Sequence, residues 1–205
     1  MKKYELTDET KFFFGRKLHR IKALRDIGED VKTGDLGGWI EKESNLSHDG
    51  DAWVYGNAKV YGNAKVYGDA WVYGNAKAYG NAWVYGDAEV YGNAKVYGNA
   101  KVYGDAWVYG DAEVCGDAQV CDNAEVTEIT DVFAVSPIGS RNDTTTFYRT
   151  KDDKIFVKCG CKNADIDTWL AMVKETHGDN KHAQAYKLAA QIAKLQILGE
   201  TINNV

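Results

Sequence analysis

The sequence predicts a mainly β protein: a three-sided parallel β-helix solenoid with an N-terminal β cap and a small C-terminal α+β module. The main observation is that residues 51–126 read as thirteen uninterrupted six-residue units with the consensus [DN]-A-x-V-Y-G. A second period of 18 residues runs through these units. Both flanks abandon the pattern, which predicts a cap at 1–44, a solenoid at 45–135 and a module at 136–205.

The alternation inside each unit predicts which side chains face the core. Ala and Val stand two residues apart, so they share one face of a strand while x and Tyr share the other. The x position holds mainly Lys, Glu and Trp, and charged side chains are rarely buried without a partner. Ala and Val therefore point inward, and each Gly-[Asn/Asp] pair supplies the backbone conformation of a sharp corner.

The 18-residue period predicts the number of sides. The units that begin at Asp51, Asp69 and Asp105 all read DAWVYG. Identity improves at every third unit, as expected if each coil has three sides and equivalent positions stack. Thirteen rungs then make just over four coils.

Composition limits the classes of function. The 205 residues carry 25 basic and 30 acidic side chains, a net charge of −5 that argues against a nucleic-acid partner. Four cysteines are too few for a disulfide scaffold. No stretch approaches the run of about 18 apolar residues of a membrane-spanning helix. We therefore expect a soluble, cytoplasmic protein with no membrane partner and no cofactor.

The N-terminal flank predicts a β-hairpin, and the C-terminal flank predicts strands followed by helices. Lys11–Leu24 predicts a hairpin that turns near Gly15, and His48 is interpreted as part of the cap rather than as a ligand. In the module we expect a polar loop, two β-rich runs and two helices at Ser136–Asp143, Thr144–Thr150, Lys154–Cys161, Asp165–Thr176 and Asp179–Leu198.

The repeat, V-x-x-x-A-x in register with Gly-[Asn/Asp] corners, resembles the hexapeptide-repeat left-handed β-helix of bacterial acyltransferases over about residues 45–132. The resemblance implies left-handed coils and a trimer. Such enzymes typically use a histidine base near loops that interrupt the coil. This chain has no histidine from 49 to 176 and no interrupting loop, which favours a protein that is not an enzyme.

Segments at both ends resemble phage and prophage proteins with variable hexapeptide-repeat middles. The similar segments are Gly34–Trp39, Ile138–Asp143, Cys159–Cys161 and Thr176–Asn180. This resemblance implies a phage setting and a role in host takeover or anti-defence, but it names no activity.

Outward aromatic columns form the first candidate site. The 18-residue spacing places Trp53, Trp71 and Trp107 on one face and Trp83 on another, between two lysines. It also aligns a column of tyrosines at Tyr55, Tyr73, Tyr91 and Tyr109. Stacked rings stabilise a sheet, but three faces of exposed rings also predict self-association, with a trimer favoured. The two interpretations are compatible.

A loop in the module is the candidate ligand site. It offers backbone amides, hydroxyls and one guanidinium, a donor set that suits an anion, at Gly139, Ser140, Arg141, Asn142 and Thr144. A structural β-turn is the alternative. Cys159, Cys161 and His177 fit no standard zinc pattern, so we expect no metal, and whether they do chemistry stays open.

These observations predict a non-enzymatic, phage-type β-solenoid binding protein. It would inhibit or sequester a host protein, or an anionic signalling nucleotide held near Arg141. Two alternatives stay open: an acyltransferase-like enzyme, degenerate or with a site at an assembled interface, and a structural part of a phage particle.

Overall fold

The computed structural model describes residues 2–201 and confirms the predicted fold class. A parallel β-solenoid lies between an antiparallel hairpin and a module of one antiparallel sheet and two helices. The hairpin comprises β1 (Tyr4–Phe13) and β2 (Arg16–Ala23), which turn at Phe14 and Gly15 as predicted. Among the described residues, no helix is long and apolar enough to cross a membrane.

The solenoid strands are short and follow the repeat. They are β3 (Leu36–Ile40), β4 (Trp53–Val54), β5 (Lys59–Val60), β6 (Lys65–Val66), β7 (Trp71–Val72), β8 (Lys77–Ala78), β9 (Trp83–Val84), β10 (Glu89–Val90), β11 (Lys95–Val96), β12 (Lys101–Tyr103), β13 (Trp107–Val108), β14 (Glu113–Val114), β15 (Gln119–Cys121) and β16 (Glu125–Val126). The module comprises β17 (Val132–Ile138), β18 (Asp143–Arg149), β19 (Ile155–Cys159), β20 (Lys162–Asp165), α1 (Ile166–His177) and α2 (Lys181–Leu198).

Three parallel sheets form the sides of the prism. Face A contains β3-β5-β8-β11-β14, face B contains β4-β7-β10-β13-β16, and face C contains β6-β9-β12-β15. Leu46 adds a parallel bridge to Val66 on face C, so five coils stack rather than just over four. The first coil begins at Leu36, inside the segment predicted to be cap. The sequence there lacks the repeat, although its backbone pairs in the same way.

The core consists of the repeated alanines and valines, as the alternation predicted. Every Ala and Val of the thirteen units is at most 1% exposed. The corner glycines of the repeat all have positive φ, between +63° and +73°. Side chains other than hydrogen disfavour that conformation, which explains why glycine recurs there.

The cap overturns one of the predicted exposed positions. Trp53 is fully buried, and its ring meets that of Tyr4 edge-on with centroids 6.3 Å apart. The prediction that Trp53 is part of an exposed aromatic face is therefore wrong, because Tyr4, at the start of β1, packs against this outward position. His48 belongs to this junction, as predicted: its ring stacks on Tyr4 and its Nδ1 accepts a hydrogen bond from the Lys3 amide.

The module also differs from expectation at its start. β17 runs to Ile138, so the polar loop predicted at Ser136–Asp143 shrinks to residues 139–142. Backbone pairing with β18, from Val132 opposite Tyr148, extends the strand through Pro137. Both helices lie where the apolar periodicity predicted them.

A buried lysine fastens the cap to the first coil. The Lys3 side chain is fully buried, and its ammonium donates to the carbonyl oxygens of Gly50 (3.2 Å) and Ala52 (2.7 Å). Burial, with a further contribution from Arg25, lowers the pKa of Lys3 to about 8.

We expect this lysine to make the fold more stable as the pH rises above 8. Between pH 8 and the normal lysine pKa, the folded chain has lost the Lys3 proton while the unfolded chain keeps it. Unfolding therefore takes up a proton, and raising the pH favours the folded state. The urea midpoint should rise between pH 8 and 9.5, and Lys3→Met should reduce that rise. Lys11, whose pKa burial also lowers to about 8, and Lys59, whose pKa burial lowers too, contribute to the part that remains. Equal pH slopes in both proteins would contradict this account.

Candidate functional site

One cavity in the module gathers residues that the sequence presented as separate candidates. It has a volume of about 230 Å³ and opens between the 139–142 loop, the β19–β20 turn and the two helices. Its lining includes Ser140, Arg141, Cys159, Cys161, Lys162 and His177. The loop that was predicted to bind an anion therefore belongs to the same site as Cys159, Cys161 and His177.

A glycine fits the 139–142 loop against α2. Gly139 has φ +75°, and a Cβ at this position would lie 1.8 Å from the Tyr186 hydroxyl oxygen. The loop closes as a tight turn in which the Asn142 amide donates to the Gly139 carbonyl (3.4 Å). Ser140 and Arg141 then line the cavity and Gly139 shapes it, while Asn142 and Thr144 are not part of its lining.

The Arg141 guanidinium is available to a ligand. The other four arginines form ion pairs: Arg16–Glu41, Arg20–Glu9, Arg25–Asp51 and Arg149–Asp131. Within residues 2–201, Arg141 forms none. Its Nη1 lies 3.5 Å from the position of a Cβ built on Gly160, so the side chain extends over the β19–β20 turn. The rim carries the positive charges of Arg141 and Lys162 and the negative charge of Asp143, so its net charge is positive.

Aromatic and sulfur groups form the cavity floor. Trp169 meets Tyr186 edge-on at 5.1 Å, and the Tyr186 hydroxyl lies 3.8 Å from the Cys159 sulfur. Burial first, and then Cys159, raises the pKa of Tyr186 to about 12. The phenol therefore stays protonated at neutral pH and can donate a hydrogen bond into the site.

Sequence reasoning missed several of these lining residues. Lys162, Trp169 and Tyr186 received no functional interpretation, although Tyr186 lies on the apolar face of the predicted helix Asp179–Leu198. A polar-tipped aromatic on that face was the available signal. In the described part of the chain, no three His, Cys, Asp or Glu side chains are arranged to hold a metal ion.

The tyrosine columns stack as the stabilising interpretation expected, whereas Tyr55 and the tryptophans of the repeat form no stacked pair among residues 2–201. Tyr73, Tyr91 and Tyr109 stack with centroids 4.8 and 4.7 Å apart. Trp107 lies under the Lys151 ammonium at 3.8 Å. Trp83 lies on face C between two lysines. Tyr55, Trp83 and Trp107 remain exposed.

Comparison with known proteins bears on the solenoid. A family model described as the YdcK β-solenoid repeat matches residues 58–74 and 94–110, which hold β5–β7 and β11–β13. A protein of Escherichia coli (strain K12) named "Uncharacterized acetyltransferase YdcK" is 38% identical over 63 residues. That match covers 27% of this chain and 19% of the relative, so it spans less than a fifth of the relative's length. Both matches lie within the stacked coils and agree with their hexapeptide-repeat β-solenoid fold.

Proposed function

We propose that this protein is a non-enzymatic β-solenoid binding protein whose C-terminal cavity holds a small organic anion. The observation that carries the proposal is the Arg141 guanidinium, which has no carboxylate partner within residues 2–201 and lies at the rim of an aromatic-floored cavity. Guanidinium groups bind phosphate and carboxylate through paired hydrogen bonds.

The size and lining of the cavity define the class of ligand. A volume of about 230 Å³ is below the roughly 300–1,000 Å³ of sites that enclose drug-sized molecules. A phosphate or carboxylate would meet Arg141 and Lys162, while an apolar part would contact Trp169 and Val173. A nucleotide would fit with one end inside and the remainder in solvent.

Arg141→Ala is expected to weaken binding at least tenfold while leaving the melting temperature nearly unchanged. The guanidinium would bind the ligand, and it pairs with no carboxylate within residues 2–201, so its loss removes no internal ion pair. Binding is measured by calorimetry with inorganic phosphate and adenosine monophosphate, and by native mass spectrometry for a co-purified mass. Arg16→Ala, at the opposite end of the molecule, is the control and should bind normally. Unchanged binding by Arg141→Ala would refute the assignment.

We further propose that binding serves a phage or prophage in the cytoplasm of its bacterial host. Support comes from the resemblance of both chain ends to phage proteins and from the suitability of the cavity for an anionic signalling nucleotide or an anionic group of a host protein. Expression of the protein should raise phage plating efficiency on a defended strain, and Arg141→Ala should lose that effect. Equal plating with and without the protein would exclude the anti-defence role.

Self-association is proposed as the state in which the protein acts. Support comes from the exposed rings of Tyr55, Trp83 and Trp107. Light scattering should give a multiple of the 22.7 kDa chain mass, with a trimer expected. A monomer at micromolar concentration would refute the proposal.

Acyl transfer is the second candidate function, because the E. coli relative is named as an acetyltransferase. His177 lines the cavity and lies near Tyr186, with ring centroids 6.0 Å apart, so it is the residue that would serve as general base. Release of free thiol from acetyl-coenzyme A in the presence of amine or alcohol acceptors, abolished by His177→Gln, would establish this activity. No release above that of the variant would exclude it.

A further inference from the structure

Face B differs in charge from the other two sides of the prism. Its outward positions hold Trp53, Trp71, Glu89, Trp107 and Glu125 and no lysine. Faces A and C carry outward lysines Lys59, Lys77, Lys95, Lys65 and Lys101. Face B is therefore aromatic and acidic, whereas its neighbours are basic.

The chain covers most of its accessible tryptophans with its own cations. The Lys151 ammonium lies 3.8 Å from the Trp107 ring centre. Trp83 has Lys65 at 5.6 Å and Lys101 at 5.3 Å. Trp53, Trp169 and Trp39 are buried, the last with the Lys11 ammonium 3.7 Å from its ring centre. Trp71 is the sixth tryptophan, and no lysine or arginine within residues 2–201 lies over its ring.

A cleft opens beside Trp71. It consists of two adjoining depressions of about 490 and 360 Å³ between face B and the loop that follows β2. Both depressions are lined by Tyr55, Trp71 and Asp30, and the larger also by Glu29 and Glu89. No lysine or arginine lines either one.

The tyrosine column is interrupted at this cleft. Tyr73, Tyr91 and Tyr109 stack at about 4.8 Å, and the columns on the other faces stack in the same way. Among the described residues, no stacking contact joins Tyr55 to Tyr73. Tyr55 is instead 52% exposed. The missing contact leaves space beside Trp71.

We propose that this cleft binds a primary alkylammonium group, either a free diamine or the side chain of a lysine on a partner protein. The aromatic rings attract the cation through their π-electron faces. The carboxylates of Asp30, Glu29 and Glu89 accept its hydrogen bonds, and Glu89 is already oriented by the Tyr73 hydroxyl at 2.7 Å. The Lys151–Trp107 contact, two coils along the same face, displays the same recognition within the chain. This site is separate from the anion cavity.

The test is calorimetry on the full-length protein with two probes. One is 1,5-diaminopentane, and the other is a neutral-flanked peptide with a single lysine. 1,5-Pentanediol and the same peptide with acetyl-lysine serve as uncharged counterparts. Trp71→Leu and Glu89→Gln should each weaken binding about tenfold. Glu125→Gln is the matched control, because Glu125 accepts a hydrogen bond from the Tyr109 hydroxyl two coils along the same face and does not line the cleft, and it should bind normally.

The outcomes are distinct. Binding of either ammonium probe that disappears in Trp71→Leu supports the proposal, and the probe that binds identifies the source of the cation. If Trp71→Leu has a lowered melting temperature, Glu89→Gln provides the same comparison without loss of ring packing. Binding of neither probe overturns the proposal. So does equal binding of the uncharged counterparts, or unchanged affinity in both variants.

Discussion

Asp131→Ala is expected to lower the free energy of unfolding by about 3 kcal/mol. The Asp131 carboxylate is buried at the junction between the last coil and the module. It accepts hydrogen bonds from the backbone amides of Thr127 and Glu128, from the Thr127 hydroxyl, and from Arg149 Nε at 2.7 Å. Removing it leaves these donors without an acceptor and frees the guanidinium that also donates to the Ile197 carbonyl of α2.

The same arginine provides the control. Asp153 also pairs with Arg149, at 3.0 Å, but its side chain is 85% exposed. Asp153→Asn removes the charge and keeps a residue type that tolerates the positive φ of 56° at this position, so it should cost no more than about 0.5 kcal/mol. Equal losses in the two variants, measured by urea unfolding, would show that burial of the Asp131 carboxylate is unimportant.

The pH dependence follows from the same contacts. Burial alone would raise the pKa of Asp131, but the hydrogen bonds from Arg149, Thr127 and Glu128 outweigh it and lower the pKa below its usual value. The stability it confers is complete above the unfolded pKa of about 4 and is lost as the pH falls through the lowered folded value. Asp131→Ala should be less sensitive to acid than the wild type over this range.

Gly98→Ala is expected to cost about 3 kcal/mol, against about 1 kcal/mol for Gly116→Ala. Both glycines occupy the same corner in successive coils, with φ of +73° and +65°. A Cβ on Gly98 would lie 2.9 Å from the Gly116 amide nitrogen and 3.2 Å from its Cα. A Cβ on Gly116 would meet nothing within 4 Å.

Comparing these two variants separates the conformational penalty at positive φ from the steric clash between coils, which usually occur together. The conformational penalty of a side chain at positive φ is common to both variants, and the clash with the next coil occurs only in Gly98→Ala. Thermal or urea unfolding of the two proteins gives the difference directly. Equal destabilisation would mean that the coils can move apart without loss of packing.

The repeat made the solenoid predictable because its signals are local and recur thirteen times. Ala and Val at fixed spacing indicate the buried side of each strand without knowledge of distant contacts. The start of the first coil was missed because Leu36–Ile40 pairs through its backbone, and backbone pairing leaves no mark on side-chain identity. Trp53 was misplaced for a similar reason, since its burial depends on Tyr4, which lies far away in sequence.

The candidate site was predictable only in pieces. Arg141 and Ser140 were identified from the chemistry of their loop, and Cys159 and His177 from their residue types. Their meeting around one cavity depends on how α1 and α2 pack on the sheet, which periodicity does not specify. The cleft at Trp71 was invisible for the same reason, because its acidic wall belongs to the cap and its aromatic wall to face B.

The uninterrupted coils make the prism a spacer of fixed increments between the Trp71 cleft and the Arg141 cavity. The Trp71 cleft lies near one end and the Arg141 cavity beyond the other, joined by coils whose backbones pair in strict register. Excising residues 93–110, or duplicating them, would keep the corners, the inward Ala and Val pattern and every residue that lines the cleft and the cavity. Each such event would shift the two features by one strand spacing, about 4.8 Å. The distance between the cleft and the cavity could thus change in discrete steps, by recombination between near-identical repeats of the gene. The residues that line the cleft and the cavity would stay unchanged.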